Sequence, residues 1–72
     1  LKRPDGTGIQ LNDRERAILQ HLSDGLTTKA IAERIFLSED TVKWYRKNLL
    51  ARFEQPNVAA LVKWAVREGL VK

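Results

Sequence analysis

Residues 25–43 read GLTTKAIAERIFLSEDTVK and contain two helix starts with a very short connection between them. Thr27 and Ser38 are typical N-capping residues, because their hydroxyl groups accept a hydrogen bond from a backbone amide in the first helical turn. Behind Thr27, apolar residues recur at helical spacing: Ile31, Ala32 and Ile35. Only residues 36–38 separate the two helices, so the helices must cross steeply, as in a helix-turn-helix.

The short connection contains one unusual residue. Glycine is expected in such a turn because it adopts left-handed backbone angles without strain, but the sequence has Phe36 there. If this position is left-handed, Phe36 costs roughly 1–2 kcal/mol of backbone strain. Ala32 is small enough to let the backbones of the two helices approach each other closely.

Two more helices are predicted on either side of this pair. Asn12 is followed three residues later by Glu15, which is a variant of the capping box, and Gly25 ends the helix that Asn12 begins. Asn57 begins the last helix, and Gly69 ends it. No segment alternates apolar and polar residues for long enough to predict a strand. The sequence therefore predicts an all-α domain with four helices, near residues 13–24, 28–36, 39–54 and 57–68.

Length and composition exclude several classes of protein. The 72 residues suffice for one small domain, and with no cysteine and His21 as the single histidine no metal site is expected. No Ser/His/Asp set and no paired-carboxylate site is present, so neither an enzyme activity nor a cofactor is expected. No apolar run approaches the roughly 18 residues that a membrane span requires.

The first ten residues differ in composition from the others. They contain one proline and two glycines among charged and polar residues, which is typical of a linker. We therefore expect a linker or domain-fusion segment at 1–10 and the helical domain at 11–72. Because the chain starts at Leu1 and contains no methionine, we also expect it to be part of a longer protein.

The positive charge is concentrated in the middle of the chain. The whole chain has 13 basic and 9 acidic residues, which gives a net charge of +4. Residues 28–53 alone have six basic and three acidic residues, a net charge of +3. Such an excess favours a polyanionic partner.

The third predicted helix has two different faces. The core face carries Val42, Leu49 and Phe53. Roughly opposite lie Asp40, Lys43, Trp44, Lys47 and Ala51. The two lysines stand four residues apart, and such a like-charge pair destabilises an isolated helix by about 0.2–0.5 kcal/mol. A polyanionic partner next to this face would offset the repulsion between the two lysines.

This polar face is predicted to read DNA, because an α-helix fits the major groove. Lys43 and Lys47 can reach guanine edges or phosphates, and Trp44 can lie against a thymine methyl group or the sugar backbone. Flanking donors are predicted to hold phosphates: Thr28, Lys29, Asn48 and Arg52. The alternative is that the two lysines only form a solvated face. The indole argues against this alternative, since an exposed tryptophan needs an explanation.

Three segments of the chain resemble the helix-turn-helix domain of the LuxR/NarL/FixJ type. They are LNDRERAIL at 11–19, GLTTKAIA at 25–32 and LSEDTVK at 37–43. Each block is weak alone, but together they are a strong signal. The resemblance continues towards the end of the chain and covers nearly everything outside the first ten residues. One departure concerns Ala30, where the family usually has a glutamate that completes a capping box.

The resemblance implies the C-terminal DNA-binding domain of a transcription regulator, with the third helix in the major groove. The residues that match Lys43, Trp44 and Lys47 would face the groove. The residues that would lie near phosphates match Thr28, Lys29 and Thr41. The ending of the chain is similar to that of two-component response regulators, which implies an upstream receiver or sensor domain and a cytoplasmic protein.

The fourth predicted helix is apolar nearly all round. One stripe, Val58, Leu61 and Ala65, is expected to close the core. A second apolar stripe has no obvious partner inside a four-helix domain. The predicted interface on this side consists of Ala59, Val62, Lys63 and Val66. The residues alone do not distinguish a homodimer from contact with an upstream domain, but the resemblance favours a homodimer on double-stranded DNA.

Two other functions are considered beside a DNA-binding regulator. One is a promoter-recognition module like those of sigma factors, which the block Asn48-Leu49-Leu50 and the apolar fourth helix disfavour. The other is a helical module that binds proteins and has no role with nucleic acids.

Overall fold

Four helices follow one another in the computed structural model, which describes residues 11–72. They are α1 (Asp13–Ser23), α2 (Thr28–Ile35), α3 (Glu39–Arg52) and α4 (Val58–Arg67), and the described residues contain no strand. The predicted all-α fold is confirmed, and every helix begins and ends within two residues of its predicted position. The interpretation of residues 1–10 as a linker lies outside the described residues.

All four predicted N-caps form. Each accepts a hydrogen bond from the first turn of its helix: Asn12, Thr27, Ser38 and Asn57. In α1 the capping box is complete, with Glu15 N 2.7 Å from Asn12 Oδ1 and Asn12 N 2.9 Å from Glu15 Oε1. In α2 Thr27 Oγ1 accepts from Ala30 N at 3.1 Å, and alanine has no side-chain oxygen with which to return the bond.

All four helices end next to a residue with a positive φ: Gly25, Phe36, Glu54 and Gly69. After each of them, the next amide donates to the carbonyl five residues earlier, as Gln55 N does to Leu50 O at 2.9 Å. This bond is typical of the Schellman motif, which satisfies carbonyl groups at a helix end. Both glycines were predicted as helix ends. The predicted end of α3 near residue 54 also holds, but the left-handed conformation of Glu54 was not predicted, because glutamate has no preference for it.

The turn between α2 and α3 contains the left-handed residue considered above. Phe36 has φ 59° and ψ 43°, so the strain of about 1–2 kcal/mol applies to it. Leu37 N donates to Ala32 O at 3.0 Å and closes the end of α2. The phenyl group is 92% exposed, so packing within the domain does not offset the strain.

The core receives side chains from all four helices and from both ends of the described chain. Its buried residues are Leu11, Ile18, Leu19, Leu22, Ile31, Ala32, Val42, Leu49, Leu61, Ala65, Leu70 and Val71. After α4 the chain folds back, and Lys72 N donates to Gln20 Oε1 at 3.2 Å. No helix within residues 11–72 has the length and apolarity needed to cross a membrane.

The C-terminal end of α3 contacts both α1 and α4. Arg52 Nη1 donates to Glu15 Oε2 at 2.9 Å, which links α3 to α1. The ring of Phe53 stacks on Trp64 with centroids 4.5 Å apart and planes at 28°, which links α3 to α4. These two contacts fix the orientation of α3 relative to α1 and α4.

Candidate nucleic-acid interface

The outer face of α3 carries the three predicted base-contacting residues. Lys43, Trp44 and Lys47 are all exposed, while Val42 and Leu49 on the other side of the helix are buried. The two lysines lie one turn apart, about 6 Å along the helix axis. The structure therefore brings all three side chains to one exposed surface.

The indole between the two lysines is held at the surface. Trp44 is 60% exposed, and its ring meets that of Tyr45 edge to face, with centroids 5.1 Å apart at 88°. Tyr45 is half-buried and packs against the core. An edge-to-face pair favours one relative ring orientation, so the indole is oriented on this surface although it stays open to solvent.

A second group of predicted residues lies where α2 and α3 begin. Thr28 Oγ1 donates to Glu39 Oε2 at 3.2 Å, and the same oxygen lies 3.8 Å from Lys43 Nζ. Glu39 therefore connects the first turn of α2 to the lysine on the outer face of α3. Lys29 is exposed beside Thr28.

Thr41 also lies at the start of α3. Its Oγ1 is 2.8 Å from the hydroxyl of Ser38, and its amide donates to the same hydroxyl at 3.1 Å. The side chain is half-buried. Helix N-termini favour anions through their free amides and the helix dipole, so these positions suit phosphate groups.

The structure separates two predicted phosphate contacts from this group. Asn48 is exposed, and its Nδ2 donates to Trp44 O at 2.8 Å. Arg52 lies about 13 Å along the axis from Lys43, given a rise of about 1.5 Å per residue. Its guanidinium is bonded to Glu15 and lies 5.3 Å from the centre of the Phe53 ring. Arg52 thus has a structural role that sequence reasoning missed.

Glu39 is the other residue whose role sequence reasoning missed. Its position in the first turn of α3 indicates only a negative charge that is favourable at a helix N-terminus. Its spacing of four residues from Lys43 is a signal for an ion pair. The contact with Thr28 joins residues 11 positions apart, and no local pattern predicts it.

The second apolar stripe of α4 lies at the surface, as its lack of an internal partner suggests. Ala59 and Lys63 are exposed, Val62 is half-buried and Val66 is 52% exposed. The first stripe faces inward, with Leu61 and Ala65 buried. The α4 face, defined as Ala59, Val62, Lys63 and Val66, is therefore available for contact with another molecule.

Residues 10–65 match the family model of the bacterial regulatory proteins of the luxR family. The chain is 57% identical over 42 residues to the DNA-binding transcriptional activator DevR/DosR of Mycobacterium tuberculosis (58% of this chain, 19% of the relative). It is 38% identical over 63 residues to the quorum-sensing regulator RhlR of Pseudomonas aeruginosa (88% of this chain, 26% of the relative). It is 39% identical over 61 residues to YgeK, an uncharacterized response regulatory protein of Escherichia coli (85% of this chain, 42% of the relative).

The chain spans less than half the length of each of these relatives. The family match includes α1, α2 and α3 entirely and most of α4. This match confirms the resemblance to the LuxR/NarL/FixJ type. The chain belongs to the LuxR family of bacterial regulatory proteins, with α2 and α3 as its helix-turn-helix.

Proposed function

We propose that this chain is a sequence-specific DNA-binding domain that reads the major groove with α3. The observation that carries the proposal is the exposed face of Lys43, Trp44 and Lys47 on a helix whose opposite side is buried. The ammonium groups can donate to guanine N7 and O6, and the indole can contact a thymine methyl group. Each good base contact of this kind contributes about 1–3 kcal/mol of discrimination.

The phosphate contacts in this proposal set the register of the domain on the duplex. Thr28, Lys29 and Thr41 would hold phosphates at the starts of α2 and α3, where free amides favour anions. Asn48 and Arg52 complete the set farther along α3. The guanidinium of Arg52 has five N–H donors, so in this proposal it contacts a phosphate beside the carboxylate of Glu15, which accepts from Nη1 at 2.9 Å.

We further propose that two copies of the chain pair on DNA through the α4 face. The support is an apolar surface that the domain itself leaves partly open and that includes the small, exposed Ala59. A closed pair with two-fold symmetry uses the same surface on both copies. It would place two α3 helices on neighbouring half-sites of the duplex.

The whole protein is proposed to carry a further domain upstream. The support is that the chain spans 42% of YgeK, a response regulatory protein, and 26% of RhlR, a quorum-sensing regulator. A receiver domain fits the first relative, and another sensor domain fits the second. In this proposal the protein acts in the cytoplasm, where bacterial DNA lies, and binds rather than catalyses.

The test is selection of bound sequences from a pool of random duplexes. The unchanged chain is expected to enrich one sequence, and Lys43→Glu or Lys47→Glu is expected to abolish the enrichment. Lys72→Glu is the matched control, because it reverses the same charge at an exposed residue on the α1 side of the domain. If the variants at residues 43 and 47 enrich the same sequence as the control, α3 does not read the groove.

Two further binding measurements on the same chain distinguish the two alternative functions. Binding to core RNA polymerase would indicate a promoter-recognition module like those of sigma factors. Binding to proteins with no enrichment of any duplex would indicate a protein-interaction module. Either result contradicts the proposal.

A further inference from the structure

A single carboxylate oxygen holds two of the groups that are proposed to contact DNA. Glu39 Oε2 accepts from Thr28 Oγ1 at 3.2 Å and lies 3.8 Å from Lys43 Nζ. Lys43 belongs to the proposed base contacts, and Thr28 belongs to the proposed phosphate contacts. Asp40, the next residue, has the same charge and makes neither of these contacts within the described residues 11–72.

We propose that Glu39 is a positioning residue that raises the sequence specificity of α3, acting through Lys43. The inference rests on the proposed function and deepens it. Glu39 holds the Lys43 ammonium along α3, where it can donate to a base edge. The same contact opposes its movement to a phosphate of an arbitrary duplex.

The ammonium group of lysine makes this arrangement possible. It has three N–H donors, so Lys43 can keep its contact with Glu39 and still donate to the N7 and O6 atoms of guanine. In this proposal, Lys43 leaves Glu39 when it turns to a phosphate at the edge of the groove. The carboxylate is thus retained in the specific complex and opposes the non-specific one.

The charge of Glu39 also weakens binding of Lys43 to arbitrary DNA. Binding to arbitrary DNA depends on neutralised phosphates and released counterions. A lysine that a carboxylate already partly neutralises releases fewer counterions. One phosphate contact changes the affinity about threefold between about 50 and about 200 mM salt, given a slope of about 0.9 for each contact. This sets the size of the expected effect.

The experiment measures the affinity of the 72-residue chain for its selected duplex and for a random duplex over a range of salt. Glu39→Gln is expected to raise the affinity for the random duplex and to steepen its salt slope by about one, so that the gain is about threefold larger at about 50 than at about 200 mM salt. The affinity for the selected duplex is expected to stay equal or fall. The ratio of the two affinities therefore falls, and it falls about threefold more at the lower salt concentration.

Asp40→Asn is the matched control. It removes the same charge from the same helical turn and loses the same interaction with the helix dipole, but it leaves the Glu39 contacts in place. Thermal unfolding of both variants shows whether they stay folded. A second control is Glu39→Gln in the Lys43→Gln background, where the effect on the salt slope is expected to disappear.

Each other outcome overturns the inference in a recognisable way. If Glu39→Gln raises both affinities equally, or if Asp40→Asn has the same effect, Glu39 acts only as a repelling charge. If the effect persists without Lys43, Glu39 does not act through that residue. If the unchanged chain prefers no sequence, the proposed function itself is wrong and this inference fails with it.

Discussion

Phe36 keeps a left-handed backbone with a side chain that is 92% exposed. Replacing it with glycine removes the clash of Cβ that causes the strain. We expect Phe36→Gly to raise the free energy of unfolding by about 1 kcal/mol, part of the gain being offset by the greater chain entropy of glycine. Unfolding in urea measures the change.

Phe36→Ala is the control for this prediction. Alanine keeps the Cβ and loses only an exposed phenyl group, so we expect its free energy of unfolding to stay within about 0.5 kcal/mol of the unchanged chain. A glycine variant less stable than the alanine variant would show that the left-handed conformation is not strained here.

Lys29 and Arg52 are both proposed phosphate contacts, but their surroundings differ. Lys29 is exposed, whereas Arg52 is bonded to Glu15. We expect Lys29→Ala to weaken binding to all duplexes similarly and to reduce the salt slope by about one. We expect Arg52→Ala to reduce the slope as well and, because it also loses the bond to Glu15, to lower the free energy of unfolding by up to about 1 kcal/mol.

These two predictions are tested by mobility shifts at several salt concentrations. Urea unfolding of both variants measures the change in stability. An unchanged slope for Arg52→Ala would show that Arg52 contacts no phosphate and has only the structural contact with Glu15. An unchanged slope for Lys29→Ala would remove Lys29 from the interface.

At the level of single residues, the sequence predicted what depends on local spacing. The N-caps at Asn12 and Ser38 and the exposure of Lys43 and Lys47 follow from positions on one helix. The contacts of Glu15 with Arg52 and of Glu39 with Thr28 join different helices. Their geometry depends on how the helices pack, and no periodic pattern carries that information.

Among the elements, all four helix ends were predicted to within two residues, but the left-handed residue that ends α3 was not identified. Gly25 and Gly69 stop α1 and α4, and both were predicted as ends. Glu54 stops α3 with φ 55°, although glutamate is unfavourable in that conformation. The stack of Phe53 on Trp64 holds the chain just before this residue, which explains why the helix ends there.

The α4 face is the element on which pairing is expected to depend. Val66→Glu places a charge in the proposed apolar interface, and we expect it to prevent pairing of two copies on a duplex with two half-sites. The fold is expected to persist, because Val66 is 52% exposed in the single chain. Sedimentation of the chain with DNA measures the number of copies bound.

Val66→Thr is the matched variant, because it keeps the branched shape without a full charge and is expected to pair almost normally. If Val66→Glu and the unchanged chain bind in equal numbers, the α4 face is not the interface between copies. Contact with an upstream domain is then the remaining interpretation of that face.

For the whole molecule, the last residues are part of the core. Leu70 and Val71 are 4% and 7% exposed, and burial of each contributes about 1.5–3 kcal/mol. A domain of this size has only a few kcal/mol of net stability. We therefore expect a chain that ends at Glu68 to be largely unfolded at room temperature, as measured by the circular dichroism of its helices.

A chain that ends at Val71 is the control for this truncation. It loses only the exposed Lys72 and its bonds with Gln20, and we expect it to keep the helical signal. Equal helix content in both shortened chains would show that α1 to α4 form a sufficient core without the C-terminal residues.

The two tryptophans of the chain stand in opposite environments, and this gives the domain two separate optical signals. Trp44 is open to solvent on the outer face of α3, so its fluorescence should respond to a bound duplex. Trp64 is stacked on Phe53, so its emission should shift to the red when the end of α3 separates from α4. In Trp64→Phe the remaining Trp44 reports binding, and in Trp44→Phe the remaining Trp64 reports unfolding, so the two events can be followed separately without an attached dye.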